Sequence, residues 1–163
     1  MAAGVFAKLQ LKDQREIVVL DAPAEFEPHL RSLRGVRVHR APDPPQVAFA
    51  IAFVTRRAEL EAHARALAAR APGDAMLWFA YPKGSSKRYR SELTRDAGWQ
   101  VLGDLGFEPV RLVAIDEDWS AARLRRTEFI KTMKREASRA MSAAGRKKTR
   151  RRRPAGRAKR RST

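Results

Sequence analysis

Three stretches of this chain are apolar without interruption: residues 17–20, 47–54 and 75–81. A strand with one face in water alternates apolar and polar residues, and these do not. Uninterrupted runs of this length belong to strands buried on both faces, as in a parallel sheet between two helical layers. The segments between them are polar or helix-patterned, so strands alternate with helices. That order predicts βαβ units with right-handed crossovers.

The remaining elements follow from local signals. Residues 16–20 form the first strand, and Asp21-Ala-Pro23 ends it in a turn. Phe26, Leu30 and Leu33 recur at helical spacing before Gly35. Residues 36–40 alternate and read as an edge strand, followed by a loop at Pro42, Pro44 and Pro45. Leu60, Ala64 and Leu67 mark one face of an Ala-rich helix over 56–70. A further helix is predicted over 92–105, with Ala97, Val101, Leu102 and Leu105 inward and Gly106 as its cap. Strands over 110–115 and 119–125 close the domain, the second as an antiparallel return. A last helix over 127–144 carries Phe129, Met133, Ala137, Ala140, Met141 and Ala144 on one stripe. It reads as a docked terminal helix or as a basic helix that orders on a polyanion. The expected fold is a three-layer α/β sandwich over 1–126, then this helix, then a disordered basic tail over 145–163.

Charge divides the chain more sharply than hydropathy does. Residues 1–122 hold 17 Lys/Arg and 16 Asp/Glu, a net of +1. Residues 123–163 hold 18 Lys/Arg and 2 Asp/Glu, a net of +16 of the total +17. The densest part comprises Arg146, Lys147, Lys148, Arg150, Arg151, Arg152, Arg153, Arg157, Lys159, Arg160 and Arg161. Cations at this density neutralise backbone phosphates and release counterions. No aromatic is interleaved, so base stacking is not expected. The arm is therefore expected to bind DNA or RNA without sequence preference, against the plainer reading of a solubilising tail. Arg outnumbers Lys 26 to 9, a mix that fits a GC-rich bacterial genome.

Several classes are excluded. There is no cysteine, hence no disulfide framework or thiolate metal site. His29, His39 and His63 lack ligand spacing. No run reaches the roughly 18 apolar residues of a membrane helix. Residues 1–11 lack a secretory pattern, so a cytoplasmic location is expected, on the nucleoid if the arm binds DNA.

The segment Ala71-Pro-Gly-Asp-Ala-Met-Leu-Trp-Phe-Ala-Tyr-Pro-Lys83 resembles a recurring stretch of class I SAM-dependent methyltransferase-like folds, where a Pro-Gly turn enters a central strand. One strand and helix of that plan are missing between residues 41 and 47. Four motifs in order resemble the uncharacterised bacterial family known as domain of unknown function 3052. They are Asp21-Ala-Pro23, Tyr81-Pro-Lys-Gly-Ser-Ser-Lys87, Thr94-Arg-Asp-Ala-Gly-Trp99 and Asp116-Glu-Asp-Trp-Ser-Ala-Ala-Arg123. The resemblance spans residues 5–126 and implies a reduced Rossmann-like domain with no activity to carry over.

A SAM or dinucleotide site needs glycines after the first strand, so that the backbone can approach the ligand. Here Asp21-Ala-Pro-Ala-Glu25 stands in that place. Pro23 removes an amide donor and Glu25 adds negative charge. No cofactor, metal or catalytic residue is assigned. The loop after residue 81 is the candidate small-ligand site, because it leaves the carboxyl end of a buried strand. Lys83, Ser85, Ser86 and Lys87, with Arg95, Asp96 and Asp116 nearby, suit a phosphate or carboxylate. The alternative is structural: Lys83 and Arg95 pair with Asp96 or Asp116, and the serines cap the next helix. Trp99 and Trp119 read as packing residues.

Overall fold

Apolar residues that must leave water on both sides of a strand set the centre of the molecule. The structure, a computed structural model, describes residues 4–94 and 97–130. Its six strands are Glu16–Leu20 (β1), Arg37–His39 (β2), Phe49–Phe53 (β3), Met76–Pro82 (β4), Phe107–Ala114 (β5) and Trp119–Arg126 (β6). They form one sheet in the order β2-β1-β3-β4-β6-β5. The first four are mutually parallel, and β6 runs antiparallel to both β4 and β5. All five residues of β3 are buried, as are all of β4 but Met76. The continuous apolar runs are therefore the interior strands.

Alternate side chains of these strands enter two separate cores, which makes three layers. On one face Ala50, Ala52, Leu77, Phe79 and Leu124 pack beneath Arg57–Ala68 (α3) and Gln100–Asp104 (α4). On the other, Ile17, Val19, Ile51, Trp78 and Ala121 pack beneath the one-turn helix Val5–Lys8 (α1) and Glu27–Arg31 (α2). Leu60, Ala64 and Leu67 are the buried stripe of α3. The first turn of α3 is held by Glu59, whose carboxylate accepts from the Thr55 and Arg56 amides at 2.9 and 3.1 Å. That contact satisfies backbone donors a helix start otherwise leaves open.

The chain between β2 and β3 crosses residues 40–48 with neither helix nor strand. This is where the methyltransferase plan was expected to lose a strand and a helix, and β2 is accordingly the sheet edge.

Three expectations are corrected. The helix predicted over 92–105 is only α4. Gly98 takes φ 99° and so cannot be helical, and the Ser91 and Trp99 side chains bond to the backbone of the preceding loop. The strand expected over 110–115 begins at Phe107, and Pro109 is accommodated on the outer edge at a register shift. The helix expected from 127 does not start there. Thr127–Phe129 is a single 3-10 turn and Ile130 is extended. The rest of that segment, the tail over 145–163, Arg95 and Asp96 lie outside the described residues.

Candidate functional site

The carboxyl ends of β1, β3 and β4 share one end of the sheet. The turn between β5 and β6 returns there, because Pro82 pairs with Trp119. Open α/β sheets take ligands at this end.

Asp21 leaves β1 with φ 57°, a left-handed conformation that glycine adopts freely and most residues avoid. Its carboxylate lies 2.8 Å from His63 Nε2 on α3. Pro23 then opens a 3-10 turn, Ala24–Phe26, that carries Glu25 back over the strand ends. The Glu25 carboxylate accepts from the Tyr89 hydroxyl at 2.7 Å and from the Trp119 indole N–H at 3.0 Å. Arg88 lies 3.7 Å away. Burial works against ionisation of Glu25, but Tyr89, a backbone amide, Trp119 and the Arg88 charge together hold its pKa below the ordinary value. Tyr89 is pushed up, first by its bond to Glu25 and then by burial. The rings under this carboxylate are close-packed, with Tyr89 and Trp119 centroids 4.9 Å apart and Trp119 and Phe53 at 5.2 Å.

The loop after β4 is tied down by the β5–β6 turn. Lys83 donates its amide to the Asp118 carbonyl at 2.8 Å, and Ser86 Oγ donates to the Asp118 carboxylate at 2.8 Å. Ser86 Oγ also accepts from the Arg88 and Tyr89 amides. Asp118 is buried, and Arg88 reaches it at 3.7 Å while also facing Glu25. Asp116 is spent on its own turn, accepting from the Asp118 and Trp119 amides at 2.8 Å each. Of the sequence candidates, Ser86 thus holds the loop, Asp116 holds the β5–β6 turn, and Ser85 is exposed at the loop's tip. Lys83 is half-buried and Lys87 exposed. Their ammonium groups meet no hydrogen-bond or ion-pair partner among the described residues. Trp99 stacks edge-on against Tyr81 at 5.3 Å and donates to the Thr94 carbonyl, which is packing.

Sequence reasoning missed Tyr89 and Asp118, and it missed what Glu25 does. The available signal was Glu25 itself, an acid where this kind of strand exit carries glycine. Its partners are 64 and 94 residues away in the chain, beyond any local pattern. Among the described residues no cluster of His, Asp and Glu could hold a metal ion, and no helix is long and apolar enough to cross a membrane.

No protein-family model and no curated protein matches the sequence. Solved structures do match. A SAM-dependent methyltransferase from Aquifex aeolicus superposes with a TM-score of 0.51 at 15% identity, over 74% of this chain and 86% of that one. A ribosomal protein L11 methylase from Lactobacillus delbrueckii subsp. bulgaricus gives 0.47 at 9%, over 75% and 76%. Magnesium protoporphyrin IX methyltransferase from Synechocystis PCC 6803 gives 0.47 at 12%, over 75% and 74%. The first of these, with the strand order, establishes the fold as a methyltransferase-like Rossmann domain.

The residues present do not fit the methyl donor of that fold. Between Leu20 and Arg34 there is no glycine. The Glu25 carboxylate, fixed by two donors, lies over the strand ends. After β2, where an acid would hold ribose hydroxyls, Arg40 stands instead and pairs with Glu27 at 2.7 and 2.8 Å.

Proposed function

We propose that the α/β domain is a ligand-binding module on a methyltransferase-like fold. Its methyl-donor site is degenerate, and it takes a small phosphate- or carboxylate-bearing anion at the 83–87 loop. One observation carries this reading. Lys83 and Lys87 flank an exposed Gly84-Ser85 tip at the ligand end of the sheet, without a carboxylate among the described residues, whereas neighbouring Arg88 is shared between two. Asp118 and Ser86 hold the loop's shape, so the two ammonium groups are presented by a tethered backbone. Membership in the family of domain of unknown function 3052 belongs to the same proposal. In support, residues from all four of its motifs, Asp21, Lys83, Trp99 and Asp116, gather around this end of the sheet.

The test is thermal melting of the full chain against inorganic phosphate, pyrophosphate and small dicarboxylates. A ligand at a hundred times its Kd stabilises by about 2.7 kcal/mol. Lys83→Ala with Lys87→Ala is expected to remove the shift. A shift that survives both substitutions overturns the assignment.

A second reading concerns the arm, and it is supported by the charge count: +16 of +17 lies after residue 122. The arm binds nucleic acid through phosphates, without reading bases. Duplex binding that survives deletion of 145–163, with unchanged salt dependence, overturns it.

A further inference from the structure

The two buried side-chain donors that lack a partner among the described residues are Trp78 Nε1 and Arg123 Nε. They belong to residues directly opposed across β4 and β6. Opposed residues in an antiparallel pair project to the same face with Cβ atoms about 5 Å apart. That face is the one covered by α1.

Arg123 is opposed on its other side by Arg111 of β5. Like charges facing each other across strands repel. Among the described residues the Arg123 side chain makes one hydrogen bond, a long one from Nη1 to Gln10 Oε1 at 3.3 Å. Gln10 has a left-handed backbone, φ 63°. Lys8 lies at the same margin, donating to the Ala114 carbonyl at 3.1 Å. Among the described residues, two carboxylates lie beside this strip. Asp74 is taken by Arg125 in a bidentate pair at 2.8 and 2.7 Å, and Glu108, opposed to Arg125, is buried at one end. Burial, then the charges of Arg125 and Arg111, hold the Arg123 pKa below its ordinary value, with Asp74 acting the other way. A half-buried guanidinium beside another, with a buried donor unmet, is a costly arrangement for a folded chain to keep.

An anion arriving from outside offsets the repulsion between Arg111 and Arg123. We propose that the α1-side face of the β5–β6 hairpin seats the phosphate backbone of a nucleic acid, with Arg111 and Arg123 as paired contacts and Lys8 beside them. The inference rests on the nucleic-acid reading of the arm and deepens it. β6 ends at Arg126, and the basic residues of the arm follow it in sequence. Charge complementarity selects the partner: an apolar surface would desolvate three cations without compensation, and a polyphosphate supplies several charges in a row.

The experiment uses the full chain and a fluorescein-labelled DNA duplex, with anisotropy read across a salt series. Arg111→Gln is compared with Arg37→Gln, an exposed cation of β2 at the far sheet edge. Losing one phosphate contact lowers affinity roughly fivefold to tenfold near 0.1 M salt and reduces the salt slope by about 0.9. Arg111→Gln is expected to show both effects, and Arg37→Gln neither. Arg123→Gln should bind more weakly while melting no lower than the parent, because it removes an unpaired charge. Amide and indole spectra give an independent readout: the Trp78 indole and Arg123 Nε signals move on adding duplex, and the Trp99 indole does not. If the parent chain does not bind duplex, the arm reading and this proposal fall together. If it binds but Arg111→Gln equals Arg37→Gln and the Trp78 signal is static, only the proposed face is wrong. Poly-glutamate binding that depends on Arg111, with duplex binding that does not, also overturns it.

Discussion

The Tyr89 hydroxyl donates to the Glu25 carboxylate at 2.7 Å, joining the loop after β4 to the turn after β1. The Trp119 indole donates to the same oxygen, so one carboxylate ties the turn after β1 to the loop after β4 and to the start of β6. Tyr89→Phe removes one hydrogen bond and is expected to cost about 1 kcal/mol. Glu25→Ala leaves two donors unmet and should cost about 1–3 kcal/mol. Urea denaturation measures both. The double variant should cost less than the sum, because the two residues share one bond.

Glu25 and Tyr89, with Glu27 beside Arg40 and Glu59 at the start of α3, set a pH window. Glu25, Glu27 and Glu59 have folded pKa values below the ordinary 4.5. A depressed pKa contributes stability that is present above 4.5 and lost as pH falls through the folded value. Tyr89 is raised from 10.0, so its contribution is present below 10.0 and lost as pH rises through the folded value. Stability should therefore be flat between these limits as far as these four groups are concerned. In Glu25→Gln the acid slope should lessen and the Tyr89 alkaline limb should move toward that of an ordinary tyrosine. Urea midpoints across pH check this.

Gly98 is required where it stands. A Cβ there would lie 2.3 Å from Leu93 Cδ2, and the backbone has φ 99°. Leu93 is buried, so its side chain has little room to turn away. Gly98→Ala is expected to lose about 1–3 kcal/mol from backbone strain alone. The loss should loosen the 83–99 loop first, which hydrogen exchange of that segment would report.

Much of this fold was legible because burial on both faces writes itself as uninterrupted apolar sequence. β1, β3, β4 and the stripe of α3 are such cases. The start of β5 was not, since Glu108 and Pro109 argue against a strand, and only the edge position and the register shift make room for them. α4 was overextended because apolar spacing continues upstream while Gly98 forbids the helix. At the site, the place of the 83–87 loop at the end of a buried strand followed from sequence. The Glu25–Tyr89–Trp119 contact and the Trp78–Arg123 opposition did not, because each joins residues brought together only by the sheet.

Calorimetric titration of the full chain with inorganic phosphate and, separately, with S-adenosylmethionine tests the central claim most directly. The expected result is saturable heat with phosphate, abolished in Lys83→Ala with Lys87→Ala, and no binding of S-adenosylmethionine. Stoichiometric binding of S-adenosylmethionine, with phosphate silent, would contradict a closed donor site and an anion-binding loop.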